Sequence, residues 1–134
     1  MEHGINWPAI VAAAIAGFAF GAAYYMTLGR RWMAAAGKSE AECKAAGMAG
    51  PMIVSAVAQL VVALMLSGLL AHLKIPGVRG GLLTGASVWF GFSVTVIAVN
   101  YAWQRAKPML TVIDGGHWLG VLLIQGAILG AMGS

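Results

Sequence analysis

The chain has 134 residues, 60% of them hydrophobic and 9% charged, whereas a soluble domain carries about 25% charged residues. So many apolar side chains cannot be hidden inside a soluble fold of this size, and their solvent is expected to be lipid. Eight Lys/Arg against four Asp/Glu give a formal charge of +4, but no basic stretch is interleaved with aromatics, which argues against a nucleic-acid face. Cys43 is the single cysteine, so an internal disulfide and a cysteine metal cluster are excluded.

Four apolar segments, 7–28, 51–73, 81–103 and 109–132, contain no Lys or Arg. As helices they are long enough to cross a hydrocarbon core of roughly 30 Å. They are continuous, without the polar/apolar alternation of a membrane β-barrel. Pro8, Pro51, Pro76 and Pro108 fall at or just before the starts of the segments, where a missing N–H costs no helical hydrogen bond. Trp7 near one end of the first segment and Tyr24 and Tyr25 near the other suit the two membrane interfaces. The predicted fold is therefore all-α, a single polytopic domain over 1–134 built as a four-transmembrane-helix bundle. No Lys or Arg precedes the first segment, and its apolar run exceeds a signal core, so it reads as a retained helix.

Orientation follows from the loops. The first carries Arg30, Arg31, Lys38 and Lys44, the second Lys74 and Arg79, and the third Arg105 and Lys107. Placing the first and third in the cytoplasm puts six cations inside and two outside, with both termini facing outward. With no organelle-targeting feature, a bacterial inner membrane is the expected location. Within the first loop, Ser39-Glu40-Ala41-Glu42 followed by Lys44 predicts a short amphipathic helix starting after a Ser cap, at the inner-leaflet surface.

The last segment holds Asp114, the sole acidic residue in any apolar run. At 100° per residue, Thr111, Asp114, His117, Trp118, Val121 and Gln125 share one helix face, while Gly115, Gly116, Gly120, Gly126 and Gly130 occupy the other. In the third segment Trp89, Ser93, Val96, Asn100 and Trp103 recur at intervals of three and four. Asn100 and Tyr101 are thus expected at the depth of Asp114 and His117. Gln59 from the second segment and Tyr24 or Tyr25 from the first complete the predicted polar cluster.

Asp114 and His117, one turn apart, are expected to pair as carboxylate and imidazole, an arrangement able to relay protons. One Asp and one His supply only two metal ligands, and His72 lies toward the opposite face, so no metal or cofactor is expected. His72 reads as interfacial and His3 as part of the N-terminal tail. A purely structural alternative has Asp114 stabilised by the helix N-terminus after Pro108 and by Arg30, Arg31, Arg105 or Lys107 reaching in from the interface. Against it stands the cost of an ionisable residue in a span, about 2.5–3.5 kcal/mol at the centre, which usually marks a polar pathway.

Gly17/Gly21, Gly81/Gly85, Gly116/Gly120 and Gly126/Gly130 repeat the four-residue spacing that favours close helix packing, and both faces of the last segment need covering, so a homodimer is expected. No Gly-x-Ser-x-Gly, His-Glu-x-x-His or phosphate-binding loop occurs. An enzyme acting on a lipid or quinone head group therefore ranks below the non-enzymatic readings.

Asn6-Trp7, Gly21-Ala22-Ala23-Tyr24-Tyr25, Gly29-Arg30-Arg31-Trp32-Met33 with Gly37, and Lys107-Pro108 leading to Ile113-Asp114-Gly115-Gly116-His117-Trp118 and Gly126-Ala127-Ile128-Leu129-Gly130 together resemble the domain of unknown function 1761 family. The resemblance runs over nearly the whole chain, with the specific motifs at its two ends. It implies a small four-helix membrane protein without an assigned activity, and it marks Asn6, Trp7, Tyr25, Trp32, Asp114 and His117 as motif-matching positions. The leading functional expectation is a protein that binds or conducts a small solute or proton around Asp114. The alternative is a structural or accessory bundle that organises a partner complex, with membrane lipids as its surroundings.

Overall fold

A computed structural model describes residues 4–133, so His3 lies outside the described residues. The described chain is helical: α1 (Trp7–Ala36), α2 (Glu40–Ala46), α3 (Ala49–Leu73), α4 (Gly77–Val88), a π-helical turn (Trp89–Ser93), α5 (Val94–Trp103) and α6 (Pro108–Met132). The segment from α4 through α5 is one rod. With α1, α3 and α6 it makes four helices long and apolar enough to cross a membrane.

Local chemistry sets the ends. Asn6 caps α1, its Oδ1 accepting from the Ala9 N–H at 3.2 Å. The helix then runs two turns past the expected limit at residue 28, because Arg30 to Ala36 end the apolar run without ending helix propensity. It stops at Gly37, whose φ of +71° is left-handed, with the Lys38 N–H donating to Met33 O at 2.9 Å. The expected short helix follows as α2. Its Ser39 Oγ accepts from the Glu42 N–H at 3.1 Å and Glu42 Oε1 accepts from the Ser39 N–H at 3.0 Å, a reciprocal capping box.

The third long helix begins at Gly77, earlier than the expected residue 81, directly behind Pro76. It also contains the π turn, in which the Val94 N–H reaches back five residues to Trp89 O.

α6 is the central element, packed against α1 on one side and against α4 on another, while α3 lies mainly on α1. The α4–α6 contact is backbone on backbone. A Cβ on Gly81 or on Gly126 would overlap the other's carbonyl oxygen, and Gly130 and Gly85 meet the carbonyls of Gly77 and Leu122 in the same way. Such close approach of two backbones is the van der Waals packing that small residues permit. Two apolar clusters result. Ala9, Ile10, Ala13 and Ala14 of α1 join Ala63, Leu66 and Leu70 of α3 and Leu122 and Leu129 of α6. At the opposite end Ala35, Leu110 and Ile113 pack with Trp32, Tyr24, Tyr25 and Tyr101.

Candidate functional site

Asp114 sits in the second turn of α6, half-buried, between the far halves of α1 and α5. Its two carboxylate oxygens accept from two phenols. Tyr25 Oη of α1 donates to Oδ1 at 2.6 Å, and Tyr101 Oη of α5 donates to Oδ2. The backbone on either side of it is clasped too. Tyr24 Oη donates to Ile113 O at 2.6 Å, and Trp89 Nε1 donates to Gly115 O at 2.7 Å. Four aromatic side chains from two helices and the π turn thus hold three consecutive residues of α6.

No cation among the described residues takes part. Among the described residues the one ion pair is Lys44–Glu40, and Lys107 Nζ instead donates to Ala34 O at 3.2 Å. Asp114 also lies beyond the first helical turn, within which the helix dipole is felt. The stabilisers expected by the structural alternative are therefore not the ones in contact with this carboxylate.

His117 is 8% exposed and does not bond to Asp114. Both carboxylate oxygens are turned to the tyrosines, while the imidazole turns to α1, where a Cβ on Gly21 would lie 2.7 Å from Nε2. The rings of Phe20, Tyr24, Tyr25 and Trp118 surround it, with centroids 6.2, 5.7, 5.0 and 4.9 Å away. His117 Nδ1 has no hydrogen-bond partner among the described residues. The expected carboxylate–imidazole pair is therefore replaced by a carboxylate–phenol pair with the imidazole beside it.

Gln59 is buried but away from Asp114. Gln125 Nε2 donates to its Oε1 at 2.7 Å and to its backbone O at 3.3 Å, in a gap that Gly17 leaves open. Eleven residues of α6 separate Gln125 from Asp114, about 16 Å along the axis, so the glutamines form a second, isolated polar pair.

Asn100 is exposed, and its neighbour Tyr101 faces α6 instead. The cause is the π turn. One extra residue in that turn moves every later inward position on by one, so the expected stripe Trp89, Ser93, Val96, Asn100 becomes Trp89, Val94, Ile97, Tyr101.

The other motif-matching residues have visible local roles. Asn6 Nδ2 donates to Met132 O at 3.1 Å and to Gly133 O at 2.7 Å, clipping the start of α1 to the end of α6. Trp7 is 53% exposed at that same end, and Trp32 packs beside Ala35 and Leu110. Among the described residues no three His, Cys, Asp or Glu side chains converge to hold a metal.

No curated protein and no solved structure matches the chain. The family model described as "Protein of unknown function (DUF1761)" matches residues 8–130, and with nearly the whole chain so covered the protein belongs to that family.

Proposed function

We propose that the protein is integral to the bacterial inner membrane and that Asp114 is a centre at which a proton, or a small solute that replaces it, is bound and passed on. The observation that carries this reading is a carboxylate in a membrane-spanning helix whose oxygens are both engaged by neutral phenols, with no cation paired to it among the described residues. Phenols orient the charge without cancelling it, and a bare anion is costly in a low-dielectric surround. A proton cancels it. Each phenol can accept as well as donate, so a protonated Asp114 can donate to Tyr25 or Tyr101 without the helices separating. That is the property of a site that exchanges protons in place.

The six cations at the Asp114 end favour placing that end, with the first and third loops, in the cytoplasm and both termini outside. A second copy of the chain would pair through the open faces of α3 and α5, since all four glycine pairs meet groups within the chain.

A second reading is favoured by the clasp on Ile113 O and Gly115 O, which suits a fixed latch in an accessory bundle. Liposomes separate the two. Wild-type protein reconstituted under a pH gradient is expected to carry a proton flux that Asp114→Asn abolishes while helix content and thermal midpoint are retained. No flux in the wild type, with an unfolded Asp114→Asn variant, supports the latch.

A further inference from the structure

The end of the bundle that holds Asp114 also has a groove of about 630 Å³ between Trp32 near the end of α1, the short helix α2, and Met48 and Pro51 at the start of α3. It exists because α3 leaves the bundle there. The face of α3 that buries Gln59, Ala63, Leu66 and Leu70 continues backward through Ser55 and Met52 to Met48. Yet Met52 is 47% and Met48 69% exposed, and no residue from 49 to 57 is covered. An apolar wall thus runs from the groove along the uncovered start of a membrane-length helix.

The polar wall carries both signs, Lys38 and Lys44 with Glu40 and Glu42. Lys44 and Glu40 approach at 3.8 Å with side chains 76% and 74% exposed, a pair weak enough in water to be exchanged for other partners. Glu42 is ionised at neutral pH, and its reciprocal bonds with Ser39 hold that charge in place. Trp32 adds an indole of the kind that settles at the membrane interface.

We propose that this groove holds a zwitterionic phospholipid with a primary-ammonium headgroup, its phosphate on Lys38 and Lys44, its ammonium on Glu40 and Glu42, and an acyl chain along the uncovered face of α3. A wholly anionic headgroup leaves both glutamates opposed by like charge. A quaternary ammonium has no N–H to give them, whereas a primary ammonium donates three charge-assisted hydrogen bonds. The assignment rests on α1 and α3 spanning the bilayer, as in the proposed function, and recovery of the protein from carbonate-washed membranes checks that reading by itself.

Native mass spectrometry of the detergent-purified protein, offered phosphatidylethanolamine, phosphatidylcholine and phosphatidylglycerol with matched acyl chains, tests the assignment. Retention of phosphatidylethanolamine is expected to exceed that of the other two by about fivefold. E40Q/E42Q is expected to reduce it to the phosphatidylcholine level, and K38Q/K44Q to lower retention of all three. Equal retention of the three lipids, a preference for phosphatidylglycerol, or indifference to E40Q/E42Q overturns the proposal. A second measurement needs no change in α2. In the reconstituted protein, the part of the fluorescence lost in Trp32→Phe is expected to be quenched more by bromoacyl phosphatidylethanolamine than by bromoacyl phosphatidylcholine. Equal quenching overturns the proposal as well.

Discussion

The two ends of α6 are held in opposite ways. Toward its C-terminus it lies on α4 through backbone, with Gly126 against Gly81 and Gly130 against Gly77, where no side chain intervenes. Toward its N-terminus it is held at a distance by long aromatic side chains, through Tyr25, Tyr101, Tyr24 and Trp89. A backbone seam admits no added atom and has one arrangement. Hydroxyl-to-carboxylate contacts are directional, can reverse donor and acceptor, and change when a proton arrives. Only the second kind of contact can change when a proton arrives, so the same helix joins a fixed half to a half that the proposed function makes responsive.

Breaking the seam is expected to have the largest effect. Gly81→Leu or Gly126→Leu must push α4 off α6, at a cost of about 3 kcal/mol or more, read as loss of monodisperse folded protein in detergent. Gly68→Ala, where an added Cβ meets nothing within 4 Å, is the matched control and is expected to leave the unfolding midpoint in place.

The responsive half gives a smaller and more specific signal. Tyr101→Phe or Tyr25→Phe removes one bond to a carboxylate and is expected to lower stability by about 1–2 kcal/mol, with the double variant departing from additivity because both phenols share Asp114. Asn100→Ala, one residue from Tyr101, is expected to stay within about 0.5 kcal/mol. Equal losses at 100 and 101 in denaturant titrations would show that the π turn does not set the register of α5.

The smallest effect belongs to α2, which is capped by its own residues. Ser39 holds the Glu42 carboxyl below its usual range, so the stabilisation is present above the unfolded value and is lost as pH falls through the lower folded value. The protection of the Glu42 amide, whose N–H bonds Ser39 Oγ, taken relative to its intrinsic exchange rate at each pH, is expected to fall on acidification through that window while amides of the α4–α6 seam stay protected.

What the sequence made legible was whatever depends on local pattern. Hydropathy marked four long helices, Ser39 ahead of Glu40-Ala41-Glu42 announced a short capped helix, and the glycines at 126 and 130 announced a backbone contact. Asp114 stood out because nothing else in the apolar runs is acidic. Its partners were harder to read, since they depend on helix phase and on which helix comes near. Five residues of π helix moved Tyr101 into the place expected of Asn100, and only Gly91 and Ser93 inside that turn hinted at irregularity. His117 and Gln59 share the predicted polar face or depth with Asp114 but point elsewhere, because Gly21 and Gly17 on α1 open space for them. Periodicity belongs to one helix at a time and does not contain the gaps in its neighbour.

The central claim, that the carboxylate between Tyr25 and Tyr101 takes up and releases a proton, is tested most directly by infrared difference spectroscopy of the membrane-reconstituted protein on a pH jump. A carboxylic-acid carbonyl band is expected on acidification. It should vanish in Asp114→Asn and shift in Tyr25→Phe, leaving the glutamate bands in place. A wild-type spectrum with no band beyond those of the glutamates, or one that Asp114→Asn leaves unchanged, contradicts the account.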